Sequence, residues 1–189
     1  MDFLGPYKVK AMNNARSFLK VWPVIFGCLN TGAVHMELNK TYGTDTLLLS
    51  ISAFTSIRGY PSVFYTDRGS QLCKAAKYID SKEDPVNWTW GKLEETLAPK
   101  KTKINYYHSS CQWQNGAAKQ RVRPLKDALD LTIPNGSSYL DFSEFRTLLV
   151  KCAVLINSRP IGVTLIDEDL QPLTPNYFLI GQAQSGQVS

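Results

Sequence analysis

Residues 21–29 are almost continuously apolar and short, the pattern of a strand buried on both faces, with Pro23 tolerated near its start. Thr31-Gly32 is a turn signal, and the alternation over residues 33–38 predicts a hairpin partner. Thr44-Asp45 supplies an N-cap for a helix whose apolar face is Leu47, Leu48, Ile51, Phe54 and Ile57, with Gly59 just past its end. Pro61 restarts the chain, and residues 62–66 form a short apolar strand that delivers Asp67 and Gly69 at its carboxyl end.

Residues 80–101 are mixed and polar, an irregular excursion with a short helix around 92–97. Residues 103–108 read as another strand. Gly116 opens a helix that runs to about Leu131, with Pro124 expected to bend it. Asp141 and Glu144 have capping-box spacing ahead of an apolar stripe of Phe142, Phe145, Leu149, Cys152 and Ile156, and Ser158-Arg159-Pro160 ends that helix. Met1-Asp2-Phe3-Leu4 resembles the middle of a strand, which suggests a truncated N-terminus. The segment 182–189 is small and polar, a flexible tail beyond one domain of 1–181. Hairpin strands, helix, strand, excursion, strand and two helices imply an α/β sheet covered on both faces.

Composition narrows the class. With 189 residues and 43% apolar content the chain can bury one core, and no repeat or low-complexity run interrupts it. No segment approaches the roughly 20 apolar residues of a membrane span, and no signal pattern opens the chain. Cys28, Cys73, Cys111 and Cys152 lack Cys-x-x-Cys spacing, so buried thiols in a reducing compartment fit better than a zinc site. The sequons at Asn39, Asn87 and Asn135 are then chance matches. Net charge is +5, which suits a polyanion, and Lys119, Arg121, Arg123 and Lys126 fall together without an acid among them. A second basic run is Lys100-Lys101-Thr102-Lys103. Both runs are equally compatible with an ordinary solvated face.

Asp2 and Asp67 stand out because strand ends of open α/β sheets are where sites are built. On neighbouring strands the two could share a divalent ion, since hard cations prefer carboxylate oxygen. Taken locally, Asp67 ahead of Gly69 reads more readily as a turn residue than as a metal ligand.

Six segments occur in order: Asp2-Phe3-Leu4-Gly5-Pro6, Ala33-Val34-His35-Met36-Glu37, Thr66-Asp67-Arg68-Gly69-Ser70, Gln114-Asn115-Gly116-Ala117-Ala118, Ile156-Asn157-Ser158-Arg159-Pro160 and Pro172-Leu173-Thr174-Pro175-Asn176. Together they resemble the integrase catalytic core of BEL/Pao-type LTR retrotransposons, within the retroviral integrase superfamily. The resemblance implies a ribonuclease-H-like fold, a five-stranded mixed sheet with helices on both faces. It implies metal-dependent phosphoryl transfer that cuts and joins DNA strands during integration, with Mg2+ or Mn2+ as cofactor. Asp2 and Asp67 match the family's two metal-binding aspartates. The glutamate belongs three residues past Gly116, where this chain has Lys119. Arg123 and Lys126 match positions that touch DNA, and Gln114 and Asn115, with Gln112 and Trp113 beside them, stand in the loop before the helix. DNA, a homodimer or higher oligomer, an intracellular setting and the nucleus during integration complete what the resemblance implies.

Lys119 changes the expected chemistry. An ammonium has only donors and carries the wrong sign for a metal ligand. Two unit charges about 4 Å apart interact by roughly 4 kcal/mol at an effective dielectric near 20, and a divalent ion doubles that. Exchanging attraction for repulsion of that size predicts loss of at least one metal and an inactive chain. Asp127 lies about 12 Å further along the helix axis and does not substitute, while Glu94 and Glu95 belong to the excursion. The sequence instead suggests that Lys119 sits between Asp2 and Asp67 in place of the missing cation. The alternative is a non-catalytic DNA-binding or dimerisation module derived from an integrase.

Overall fold

The computed structural model describes residues 1–11, 14–66, 102–106, 116–133, 137–166 and 169–181. Its elements follow the chain as β1 (Asp2–Phe3), β2 (Tyr7–Ala11), β3 (Asn14–Gly27), β4 (Val34–Asn39), α1 (Thr44–Arg58), β5 (Val63–Thr66), β6 (Lys103–Tyr106), α2 (Gly116–Thr132), β7 (Ser137–Asp141), α3 (Phe142–Asn157), β8 (Gly162–Ile166), β9 (Asp169–Leu173) and α4 (Pro175–Ile180). The protein is α/β with a mixed five-stranded sheet. β3 is the central strand, antiparallel to β4 on one side and to β1 and β2 on the other, and β7 adds parallel to β2. β5 and β6 form a separate parallel pair. The backbone of β5 meets the start of β1 where the Met1 ammonium donates to the Tyr65 carbonyl at 2.8 Å.

β1 and β2 behave as one strand with a kink. Phe3 pairs with Val24 and Tyr7 with Val21, so four steps on one side match three on the other. The extra residue is absorbed at Leu4-Gly5-Pro6, where Gly5 has φ 93° and the Gly5–Pro6 bond is cis. A Cβ on Gly5 would sit 2.8 Å from the Tyr7 nitrogen, so only glycine fits there. One inserted residue switches side-chain parity, as in a β-bulge. Asp2, Leu4, Tyr7 and Val9 therefore share one face of the sheet, and Lys8 and Lys10 the other.

Each face has its own core. One packs Leu4, Tyr7, Val9, Val21, Ile25, Val34 and Met36 against Leu125, Leu129 and Ile133 near α2 and against Phe145, Leu149, Cys152, Ala153 and Ile156 of α3. The other packs Val24 and Phe26 against Leu47 and Ile51 of α1 and Phe64 of β5, with Met1, Phe3, Leu48 and Phe54 alongside. Val24, Ile25 and Phe26 alternate between the two, the period of a strand covered on both faces. Burial raises the Tyr7 hydroxyl above its ordinary pKa, with Asp130 adding to the rise. That stabilisation is complete below the ordinary tyrosine pKa and is lost as pH rises through the raised folded value.

The expected α3 stripe and the Asp141–Glu144 capping box are both present, Asp141 accepting from the Ser143 and Glu144 backbones while Glu144 accepts from that of Asp141. The helix at Gly116 runs to Thr132 through Pro124. Four expectations need correction. α1 is capped by Gly43 without a side-chain hydrogen bond, because the Thr46 hydroxyl takes the Gly43 carbonyl and Thr44 starts the helix itself. Ile57 is 61% exposed, since α1 outruns the strands it covers. The strand at 21–29 begins at Asn14, which puts Pro23 in its interior. Pro23 is tolerated because its carbonyl accepts from Leu4, so its missing donor faces the kink, where the ladder is already interrupted. Lastly, β2, β7, the β8–β9 hairpin and α4 were unforeseen, and β7 joins the main sheet while β5–β6 stand apart. The excursion of 80–101, most of the tail and residues 107–108 of the strand expected at 103–108 lie outside the described residues.

Three of the six quoted segments are knitted together by amide chemistry. The buried Asn157 side chain accepts from the Val34 N–H at 2.7 Å and donates to the Val34 carbonyl at 2.8 Å. It acts as a substitute strand partner at the edge of β4. One residue on, Ser158 accepts from the Asn176 amide at 3.0 Å. Asn157→Leu leaves both Val34 groups buried and unpaired, so a loss of about 2–4 kcal/mol in folding stability is expected by urea denaturation.

Candidate functional site

The geometry around Asp2 is set by three elements. Asp2 sits on β1 opposite Ile25, on the face that α2 covers. The Met1–Tyr65 hydrogen bond draws the carboxyl end of β5 to the same place. From α2, Lys126 brings its ammonium to 3.7 Å from an Asp2 carboxylate oxygen. α2 therefore reaches the Asp2 carboxylate, and the end of β5 meets the backbone one residue before it.

Of the residues singled out above, the structure brings Asp2 and Lys126 together. Asp67 follows Thr66, the last residue of β5, and lies outside the described residues, as do Gln112, Trp113, Gln114, Asn115, Glu94 and Glu95. The backbone of Lys119 is helical, two turns before Lys126 and about 10 Å from it along the axis. Positions 119, 123 and 126 recur at helical spacing on one side of α2. Arg123 is 82% exposed and stands 3.8 Å from Asp127, so Asp127 faces a guanidinium one turn away.

At position 119 the chain offers a divalent ion no oxygen ligand. Among the described residues no three histidine, cysteine, aspartate or glutamate side chains cluster as a metal site. Asp2 has an ammonium as neighbour, and position 119 supplies a second cation to the helix rather than a carboxylate. What the arrangement offers chemically is a cationic helix beside a strand-end acid, suited to holding phosphates.

Sequence reasoning passed over His35. It lies on β4, 2.9 Å from Glu37, with the Phe54 and Phe26 rings 5.5 and 6.1 Å away. It borders a cavity of about 760 Å³ whose wall also includes Phe26, Phe54, Ile57, Phe64 and Phe178. Glu37 lies two residues along the same strand, whereas the two rings come from β3 and α1, which no local spacing brings together. Its contacts with Glu37 and the two rings are those of a satisfied core-edge histidine.

Among the described residues no helix is long and apolar enough to cross a membrane. No protein-family model matches the chain, and no curated protein matches it significantly. The Asp2–Lys126 pair is 40% and 48% exposed at its two side chains, in the range where ion pairs contribute little. Lys126→Met is accordingly expected to change folding stability by less than about 1 kcal/mol, measured by chemical denaturation.

Proposed function

We propose that this chain is an integrase-type core of ribonuclease-H-like fold that binds DNA at the surface around Asp2 and, as written, does not cut it. The observation that carries this reading is that the basic helix α2 reaches the Asp2 carboxylate while the end of β5 meets the backbone one residue before it. Further support comes from the antiparallel β4–β3–β1 arrangement followed by a parallel strand pair, with helices on both faces. The six sequence segments add to it, since Asp2 opens the first and Asp67 lies in the third.

In an active relative of this kind, Mg2+ or Mn2+ held by two aspartates and a glutamate would supply the phosphoryl-transfer chemistry. Here Lys119 stands where that glutamate belongs, so no cutting step is assigned. Arg123 and Lys126 are placed to meet phosphates, with Gln114 and Asn115 preceding the helix. DNA is the partner in this reading, with self-association and a nuclear setting following from the same lineage. The Lys126–Asp2 contact favours a second reading, a non-catalytic DNA-binding or dimerisation module in which the acid is already occupied by an ammonium.

The test is Lys119→Glu. The native chain is expected to show neither magnesium-dependent nicking of plasmid DNA nor micromolar magnesium binding by calorimetry, and the variant is expected to gain both. Nicking or tight magnesium binding by the native chain would overturn the assignment of Lys119. Silence of a folded variant would leave the non-catalytic module as the correct reading. Independently, Arg123→Ala is expected to weaken duplex binding and to reduce the slope of log affinity against log salt by about 0.9, measured by fluorescence anisotropy.

A further inference from the structure

The sheet face opposite α2 and α3 is covered by α1 only in part. Val24 and Phe26 lie beneath α1, and Trp22 is half-buried beside Tyr42, their rings 6.3 Å apart. Beyond Trp22 no described helix covers the face. β3 contributes Phe18 and Lys20 there, β2 contributes Lys8 and Lys10, and β7 contributes Tyr139. The parity switch at Gly5 is what aims both β2 lysines this way, since Tyr7 and Val9 take the core side.

The composition of this surface is unusual for a sheet face in water. Phe18 is 49% exposed and Tyr139 is 82% exposed. Lys10 pairs with Phe18 in register, and its ammonium lies 5.6 Å from the centre of the Tyr139 ring. Phe18, Lys10 and Tyr139 thus lie on three adjoining strands of one face. In the next row Lys8 and Lys20 are directly opposed, both exposed. Like charges directly opposite on a sheet repel, and neither lysine forms an ion pair with a described residue. The nearest acids by register and sequence, Asp141 and Glu144, are engaged in capping α3.

We infer that this face of β3, β2 and β7 is a docking platform for single-stranded nucleic acid, with unpaired bases stacked on Phe18 and Tyr139 and phosphates held by Lys8, Lys10 and Lys20. Charge complementarity selects a polyanion, and two exposed rings on adjoining strands of one face select unpaired bases over a duplex, whose bases are already stacked. The Lys10 ammonium now over Tyr139 yields that place to a base and moves to the adjoining phosphate. This platform uses none of the residues at the Asp2 site, so it stands or falls independently of the function proposed above.

The experiment measures anisotropy of a labelled oligodeoxythymidylate against the full chain across a salt series. Phe18→Ser with Tyr139→Ser is expected to weaken binding roughly tenfold or more. Lys8→Gln with Lys20→Gln is expected to reduce the salt slope by about 1.4. Phe18→Tyr with Tyr139→Phe, which keeps both rings, is expected to bind as the native chain does, and circular dichroism is expected to be unchanged throughout. Unchanged affinity in the folded double-serine variant would overturn the platform. So would binding to phosphatidylserine vesicles without binding to the oligonucleotide.

Discussion

The register between β3 and the broken strand β1–β2 decides which face of the sheet each side chain of β1 and β2 takes. One residue is absorbed at Leu4-Gly5-Pro6, and Gly5 supports it because its φ of 93° and its 2.8 Å approach to Tyr7 admit no side chain. Without that extra step, the alternation set by Tyr7 and Val9 would turn Asp2 away from α2. With it, Asp2 and Tyr7 face the same core, and Lys8 and Lys10 emerge on the opposite side. A strand has a period of two, so a single inserted residue exchanges the two faces completely. The glycine inside the first quoted segment is therefore a determinant of geometry as much as the aspartate beside it.

The two sides of the sheet then take different roles. The side of α2 and α3 holds the larger core and brings Lys126 to Asp2, while the Met1–Tyr65 hydrogen bond brings up the end of β5. The side of α1 is closed only as far as Trp22 and leaves lysines and aromatic rings in water. Both surfaces are cationic, in keeping with a net charge of +5. Their recognition chemistry differs. A basic helix follows a phosphate backbone, whereas free rings need unpaired bases.

Much of the scaffold was legible because local signals and tertiary demands agreed. The Asp141–Glu144 capping box and the stripe from Phe145 to Ile156 place α3 correctly, since helix period and capping act within a few residues. The hairpin of β3 and β4 followed from an apolar run, a Thr31-Gly32 turn and alternation. The failures are equally physical. Tyr-Lys-Val-Lys-Ala in β2 does alternate and was a strand signal passed over, whereas Ser-Phe-Leu-Lys in β3 puts adjacent apolar residues on opposite faces and carries no such period. Ser137–Asp141 becomes a strand only because β2 offers an edge to it.

By itself the sequence determined the α/β class, the α2 and α3 helices, and the basic residues recurring at positions 119, 123 and 126. These are properties of neighbouring residues, fixed by period, capping and charge. Tertiary structure decided which cation meets Asp2, that Asn157 seals the edge of β4, and that the lysines of β2 share a face with Phe18 and Tyr139. Those outcomes depend on strand register and on contacts between residues far apart in the chain, and no local pattern encodes the registration of one strand against another.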